Sequence, residues 1–450
     1  MFAHKRFTRM MILGTVLLML LAGVIPAAHA RPDPQAAPAA DYDSSVPLVW
    51  YDLILELVET TPGFSPPVAA RAFGYTGVTL YEAVVPGMPG YQTLAGQLSR
   101  FMGVPQPDPA LEYHWPAVAS AALEAITRDL FAGTSDENQA KIETLARRLN
   151  QRLAGEVDTD VLARSLTQGQ AVAGAIYAWA QQDGASQVAQ AGTAGYYPPH
   201  GAGRWEPTLG ADGSPVAALL PDWGTIRPFV LPSGAACAIS APPGYAEHPE
   251  SPFYREAREV YDAEQNLTAE QRAIAAFWAD NPGSTPTPSG HWIALLTQLL
   301  REDNLTLDVA AEAYAKLGVA VADAFIVCWH AKYQYNLVRP VTYINAVIDP
   351  DWMPLIPTPP FPEYPSGHSV QSAAAAVVLT DLFGANYAFV DHTHERRGLA
   401  PRAFDSFAQA AREAAISRLY GGIHFRAAIE VGLQQGECVG QRINGLAFRR

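Results

Sequence analysis

Apolar residues recur at helical spacing along most of the chain, and the alternation typical of strands is short and rare. In residues 160–182, for example, Leu166, Ala173, Ile176 and Ala180 lie near the spacing that puts side chains on one face of a helix. The same pattern predicts helices over residues 110–131, 134–153, 273–280, 291–302, 306–335, 369–383, 404–420 and 426–446. We therefore predict an all-α fold of two packed helical bundles.

Polar residues mark where some of these helices begin and end. Thr134 with Glu137, and Thr268 with Gln271, have the spacing of a capping box, in which two side chains bond reciprocally to free backbone N–H groups. Pro340 is predicted to stop the longest helix, because its ring removes a backbone donor and clashes with the preceding turn.

Residues 1–30 have the pattern of a signal peptide. A basic start at residues 5–9 precedes an apolar run, and Ala28-His29-Ala30 offers the small residues that a cleavage site needs. The alternative is an uncleaved membrane anchor, for which residues 10–23 are short compared with the roughly 20 residues of a full span. We expect export to the periplasm or the extracellular space, and a mature chain that starts at Arg31 and has no membrane span.

The rest of the chain changes composition twice. Residues 31–182 form a predicted N-terminal helical part. Residues 183–252 are dense in glycine and proline, which predicts a long crossover segment between helical parts. Residues 253–450 are again helical in pattern, and this C-terminal helical domain contains the candidate chemistry.

Composition narrows the classes of function. The chain has 450 residues, of which 49% are hydrophobic and 16% charged, which suits a large buried core. A net charge of −14 argues against nucleic acid as a partner, although a local positive pocket can still bind a small anion. Cys237, Cys328 and Cys438 allow at most one internal disulfide and match no zinc motif. Cys328 lies in an apolar helical stretch and is predicted to be buried.

Two polar motifs stand out in the C-terminal helical domain. Lys332 and Arg339 are nearly two helical turns apart, so they share one face if the helix persists, and an anion between them would offset the cost of burying like charges. Two surface cations at a helix C-terminus are the alternative. Pro365-Ser366-Gly367-His368 opens a helix after a proline-rich loop, where free N–H groups and the helix dipole favour an anion. An ordinary serine N-cap is the alternative there.

A third motif joins an arginine to a histidine near the end of the chain. Arg418 offers a planar fork for an oxyanion. Gly421-Gly422 loosens the helix before His424, whose neutral imidazole can bind a metal or attack phosphorus. The alternative is a buried histidine bonded to a backbone carbonyl.

In this order the three motifs resemble the signature of the superfamily of type 2 phosphatidic acid phosphatases and vanadium haloperoxidases. Shorter segments further back, among them Phe277-Trp278-Ala279-Asp280 and Gly290-His291-Trp292, resemble exported bacterial members identified as vanadium-dependent haloperoxidases. The resemblance implies that a tetrahedral oxyanion, vanadate or phosphate, lies between the motifs in the C-terminal bundle.

The resemblance also implies a set of residues that bind the oxyanion. Lys332, Arg339 and Arg418 would neutralise its oxygens. Ser366 and the backbone N–H of Gly367 would donate hydrogen bonds to it.

The catalytic roles implied by the resemblance fall on other residues. His424 would be the ligand of vanadium or the nucleophile on phosphorus, and His368 would be the acid–base group. Asp280 would pair with the last arginine of the signature. Trp329 and Phe361 match aromatic positions that flank vanadate in chloroperoxidases of the family, and they form a candidate halide pocket, with core packing as the alternative.

The same pocket supports two chemistries, because vanadate and phosphate share charge and shape. The first hypothesis is a haloperoxidase with vanadate as cofactor and with hydrogen peroxide and halide as substrates. The second is a secreted acid phosphatase that hydrolyses a phosphate ester through a phosphohistidine at His424.

One position departs from the family pattern. The family usually has aspartate one helical turn after the last histidine, where this chain has Ala428. Loss of such a partner typically costs about 10–100-fold in affinity or activity, which leaves a non-catalytic anion-binding protein as a third hypothesis. A backbone carbonyl or Glu430 could replace the aspartate. If nothing does, Ala428→Asp should tighten vanadate binding.

Overall fold

The computed structural model describes residues 37–208 and 214–450, so the predicted signal peptide lies outside the described residues. Helices dominate, and the described part contains one short antiparallel pair of strands, which confirms the predicted all-α class. The helices are α1 (Ser45–Thr60), α2 (Pro66–Val84), α3 (Trp115–Leu130), α4 (Asp136–Leu153), α5 (Thr159–Ala180), α6 (Ala185–Ala191), α7 (Pro252–Gln265), α8 (Ala269–Phe277), α9 (Thr287–Glu302), α10 (Leu307–Tyr335), α11 (Pro340–Val347), α12 (Gly367–Phe383), α13 (Phe407–Tyr420) and α14 (Arg426–Asn444). The strands are β1 (Phe389–Asp391) and β2 (Arg402–Phe404), with Phe389 opposite Phe404.

The long helix α10 is the centre of the molecule. It is apolar on nearly every side and buried over most of its length, as expected for a helix inside a large core. Against α2 the two backbones nearly touch: a Cβ on Gly77 would lie 2.4 Å from the carbonyl oxygen of Tyr314, and one on Gly318 would lie 2.5 Å from that of Phe73. Glycine at these two positions therefore permits the contact that joins the N-terminal helices to the C-terminal ones.

Two bundles pack around this contact. Helices α1 to α5 form one group, while α12 and α14 pack against α10 and α13 packs against α12 and α14. Both bundles contribute to one large apolar core, and a second, smaller apolar cluster lies between α7, α11, α13 and α14. A disulfide between Cys237 and Cys438 ties the crossover segment to α14, while Cys328 is buried and free, as predicted. No helix in residues 37–208 and 214–450 has the length and apolarity to cross a bilayer.

Some predicted helix ends are confirmed and others are wrong. The capping box of Thr268 and Gln271 is present at α8. Helix α4, by contrast, is capped by Ser135 instead of Thr134, because the Ser135 hydroxyl is the one that accepts a hydrogen bond from a backbone N–H in the first turn. Pro340 does not stop α10: that helix ends earlier, and Pro340 opens α11, where a missing N–H costs nothing.

Candidate active site

The signature residues converge although they come from four different helix ends. Lys332 lies in the last turn of α10, Arg339 caps α11, Ser366 caps α12, and Arg418 lies in the last turn of α13. His424 follows in the connection to α14. All five side chains are buried. The structure therefore brings the three sequence motifs together at one point beneath the surface.

Lys332 and Arg339 do not share a helix face, as the sequence pattern suggested. Helix α10 ends at Tyr335, and the next residue, Asn336, has φ of 49°, which turns the chain out of the helix. The two cations meet because the chain doubles back, and both lie close to the ring of Phe361, at 5.0 Å for the ammonium and 4.9 Å for the guanidinium.

The ammonium of Lys332 binds the proline-rich loop. Its Nζ donates to the carbonyl oxygens of Pro362 and Glu363, both at 2.9 Å, and to that of Pro365. Burial, reinforced by the nearby Arg339 charge, lowers the pKa of Lys332 to about 7. In this structure Lys332 thus fixes the loop that carries the serine motif, and its direct contact with an oxyanion stays a prediction.

One guanidinium nitrogen of Arg339 has no hydrogen-bond partner in the described residues. Its Nε donates to the carbonyl of Phe361 and its Nη1 to that of Ile423, both at 2.9 Å, and Nη1 also lies 3.2 Å from Nε2 of His424. The remaining nitrogen, Nη2, is buried and has no hydrogen-bond partner among the described residues. Burial lowers the pKa of Arg339 to about 10, which measures how poorly its charge is solvated.

Arg418, like Arg339, has some guanidinium nitrogens bonded to the protein and one without a partner in the described residues. Its Nη1 donates to the carbonyl of Trp278 and to Nε2 of His368, the latter at 2.9 Å, while its Nε is buried without a partner in the described part of the chain. Burial lowers the pKa of Arg418 to about 10. Two buried guanidinium groups with spare donors are costly unless an anion completes their bonds.

The histidine of the last motif is held by a carboxyl group that the sequence analysis missed. The Oε1 atom of Glu363 lies 2.8 Å from Nδ1 of His424 and also accepts the backbone N–H of Phe425, at 2.9 Å. The carboxyl group is fully buried, and burial raises its pKa to about 8. With its proton on Nδ1, His424 has an unprotonated Nε2, whose electron pair accepts a hydrogen bond from Nη1 of Arg339 at 3.2 Å.

Glu363 therefore takes the place of the missing aspartate. Ala428 is one turn past His424, as the sequence indicated, but the histidine already has its acceptor, and the substitutes considered from sequence, Glu430 and a backbone carbonyl, are not used. A signal was present in the sequence: Glu363 is the one acidic residue between Asp351 and Asp381, inside an apolar proline-rich stretch next to the serine motif.

Both histidines of the signature are neutral. Burial, followed by the charge of Arg418, holds the pKa of His368 well below its usual range. Burial, followed by the charges of Arg339 and Lys332, does the same to His424. The Nε2 atom of His368, which accepts from Arg418, consequently has no proton of its own.

The serine motif opens α12 as predicted. The Ser366 hydroxyl accepts from the backbone N–H of Ser369 at 3.4 Å, which is the N-cap bond, and the Ser366 N–H donates to the carbonyl of Ala428. That second bond fixes the start of α12 against the start of α14. Gly367 lies on the wall of a cavity, and a Cβ there would be in ordinary contact with the side chains of Phe325, Cys328 and Trp329 at 3.8–3.9 Å.

Asp280 does not pair with Arg418. Its two oxygens accept instead from Nδ1 of His291, at 2.9 Å, and Nε2 of His394, at 3.1 Å. No hydrogen bond or ion pair joins Asp280 to Arg418 in the described residues, and the carbonyl of Trp278, two residues before Asp280, accepts from Nη1 of Arg418 instead. Asp280 still lines the cavity above the site and acts on Arg418 through its charge.

A cavity of about 940 Å³ leads to these residues. His368, Arg418 and His424 lie in its wall, together with Trp329 and Phe361, whose ring centroids are 4.9 Å apart. The two aromatic residues of the predicted halide pocket are thus placed beside the cations. The cavity therefore connects His368, Arg418 and His424 to the outside, whereas Arg339 is not among the residues that line it.

Comparison with known proteins gives one match to the C-terminal part of the chain and other matches to most of its length. The family model of the VCPO second helical-bundle domain matches residues 312–449. The crystal structure of a bacterial vanadium-dependent iodoperoxidase is 40% identical, with a TM-score of 0.82, over 90% of this chain and 96% of that one. No curated protein matches the chain.

Bacterial vanadium-dependent chloroperoxidases share the fold at lower identity. The holo-type structure is 18% identical with a TM-score of 0.66, covering 87% of this chain and 95% of that one. The apo-type structure is 17% identical with a TM-score of 0.65, covering 85% and 96%.

Proposed function

The chain belongs to the vanadium-dependent haloperoxidase family, and from that premise we propose that it uses hydrogen peroxide to oxidise halide at a vanadate bound through His424. The observation that carries the proposal is the pair of buried donors without a partner in the described residues, Arg339 Nη2 and Arg418 Nε, together with the unprotonated Nε2 of His424. Donors of this kind fit a tetrahedral oxyanion, which accepts several hydrogen bonds and neutralises the charges.

Bound vanadate supplies the activation of hydrogen peroxide for halide oxidation, with no change in the oxidation state of the metal. The chain supplies position and charge. Glu363 keeps the proton of His424 on Nδ1, so that Nε2 is unprotonated and could bind vanadium. Arg339 and Arg418 would hold the oxyanion through their unpartnered N–H groups and would withdraw negative charge from it, which favours attack by a halide.

His368 is the group that moves a proton. Its Nε2 is unprotonated and accepts from Arg418, so on release of that bond it would take up a proton from incoming hydrogen peroxide and return it to the departing oxygen. Trp329 and Phe361 line the approach, and the cations behind Phe361 attract a halide to an otherwise apolar wall. The 40% identical relative is an iodoperoxidase, which makes iodide the first halide to test.

The phosphatase hypothesis uses the same atoms and is tested in the same experiment. The protein is stripped of vanadate by chelation and then titrated with orthovanadate in iodide and hydrogen peroxide, with triiodide formation as the readout. A parallel sample without vanadate is assayed with para-nitrophenyl phosphate. We expect saturable, vanadate-dependent iodide oxidation that is lost in His424→Ala. Phosphatase turnover without any vanadate-dependent oxidation would overturn the proposal.

We also propose that the chain is exported. The support is the basic-then-apolar pattern of residues 1–30, together with the Cys237–Cys438 disulfide, since disulfides persist mainly in oxidising compartments. N-terminal sequencing of protein from the culture medium or periplasm should begin at Arg31. Protein that keeps its first 23 residues and stays with the membrane would contradict export as a cleaved chain.

A further inference from the structure

Four buried titratable side chains form a chain of hydrogen bonds behind the active site. Asp280 bonds to both His291 and His394, and the second ring nitrogen of His291, Nε2, lies 2.9 Å from Oδ2 of Asp391. All four are at most 2% exposed. They come from the turn after α8, from α9, from β1 and from the segment after β1. Of these residues only Asp280 was expected to act in the site.

The bonds around His291 fix its protonation state. Each of its ring nitrogens faces a carboxylate oxygen at 2.9 Å, and a carboxylate can only accept. Both nitrogens therefore donate, and the ring is an imidazolium. Burial acts to lower the pKa of His291, but Asp280 and Asp391 outweigh it and raise the pKa to about 10.

A metal ion is the competing explanation for such a cluster. One ligand atom each of Asp280, His291 and His394 lies within 4.8 Å of the others, which is close enough to surround an ion. Hydrogen bonds account for the cluster without an ion. Nε2 of His394 lies 3.1 Å from Oδ1 of Asp280, and its Nδ1 lies 3.5 Å from Nη1 of Arg397.

Trp278 connects this cluster to the active site. Its ring stacks on His291, with centroids 4.4 Å apart and planes 21° apart, which is the geometry in which a cation binds an indole face. Its Nε1 donates to Glu413, on the same helix as Arg418. Its carbonyl accepts from Arg418. The position of Trp278 thus determines where the guanidinium of Arg418 points.

We propose that His291 is a positioning residue for the oxyanion site: held as an imidazolium between Asp280 and Asp391, it fixes Trp278 and through it Arg418. The arrangement also explains why Asp280 leaves Arg418 unpaired. The charge of Asp280 is balanced by His291, so the guanidinium keeps its free Nε and its full charge for an oxyanion. The consequence for catalysis rests on the proposed haloperoxidase function, whereas the imidazolium does not.

The first test is independent of activity. In protein labelled with ¹⁵N-histidine, the ring of His291 should show protons on both nitrogens from pH 6 to pH 8, and the signal should disappear in His291→Gln. Asp391→Asn, which keeps the shape and removes one carboxylate, should remove the second proton. A neutral His291 ring in the wild-type protein would overturn the proposal. So would a stoichiometric divalent metal that is lost in His394→Gln.

The second test measures the link to Arg418. His291→Gln should weaken vanadate binding by about 10-fold, within the range found for residues that orient a metal ligand. In an Arg418→Ala background the same substitution should have little further effect, because the residue through which it acts is gone. Equal losses in both backgrounds would show a general structural role and overturn the proposal. If neither the wild-type protein nor any variant binds vanadate but the His291 ring is doubly protonated, the haloperoxidase assignment is wrong, and the protonation state proposed for His291 is still correct.

Discussion

The carboxyl group that binds His424 can be removed from the proline-rich loop by Glu363→Ala and introduced on α14 by Ala428→Asp. Comparing these variants tests the geometry of the site. Glu363→Ala removes the acceptor for the N–H of His424 and for the N–H of Phe425, both of which are buried. We expect vanadate binding to weaken by about 10–100-fold, or roughly 1.4 to 2.7 kcal/mol. Glu363→Gln is the matched control, since its amide oxygen can still accept both bonds, and it should lose far less.

Ala428→Asp alone should also weaken binding. Ala428 is fully buried, and the gap that it lines with Glu363 and Phe425 measures only about 10 Å³, which is the room of one water at most. A second carboxyl group there is crowded, and it lies near an oxygen of Glu363 that has no partner of its own. Crowding and the burial of a second carboxylate both cost stability. The tightening considered from sequence required a histidine without an acceptor, which is not what the structure has.

Together the two substitutions should compensate each other. Glu363→Ala removes slightly more volume than Ala428→Asp adds, so the double variant has space for the new carboxyl group and a free histidine N–H for it to accept. Vanadate titration of each apo-protein, read by iodide oxidation, gives the affinities, and circular dichroism controls for folding. We expect the double variant to bind within about 3-fold of wild type, a coupling of at least about 0.7 kcal/mol. Losses that simply add, or tighter binding by Ala428→Asp alone, would refute the role given to Glu363.

Three further predictions follow from other parts of the molecule. His424→Ala should abolish iodide oxidation while leaving the helical circular dichroism signal unchanged; substantial turnover would place the reaction elsewhere. Removing the Cys237–Cys438 disulfide by Cys438→Ser should lower the free energy of unfolding by about 2–5 kcal/mol in urea, and reduced wild-type protein should match the variant, because the bond closes a span of 201 residues. His291→Gln should cost up to about 5 kcal/mol near pH 6, since the pKa of His291 rises from its ordinary 6.5 to about 10 on folding. That contribution is complete below pH 6.5 and is lost as pH rises through 10, so the unfolding curves of the two proteins should approach each other there; a gap independent of pH would contradict the charge assigned to His291.

The sequence predicted the parts of the site that are tied to helix ends. Ser366 could be placed because a serine after a proline-rich loop is a strong start signal for a helix, and the structure puts it at the N-cap of α12. Cys328 could be placed because a helix that is apolar on all sides is buried, and a small residue within it is therefore buried too. These are local properties of short segments.

Contacts made across long stretches of chain could not be predicted in the same way. Glu363 meets His424 across 61 residues, and nothing in the spacing of the two indicates it. Helix α10 ends just before Asn336, which has a left-handed backbone conformation, and no proline next to it indicated this end in the sequence. Asp280 was assigned to the arginine that the family pattern offered, whereas His291, only 11 residues away, was nearer. The partners of Glu363 and Asp280 are set by packing between helices, and the end of α10 is set by the backbone conformation of Asn336.

The location of vanadium tests the central claim most directly. Crystals of the protein grown with orthovanadate would be measured near the vanadium absorption edge, where anomalous scattering identifies the metal. We predict one peak within bonding distance of Nε2 of His424, with density for oxygens that face Nη2 of Arg339 and Nε of Arg418. A peak elsewhere, or none at saturating vanadate, would contradict the assignment of this site.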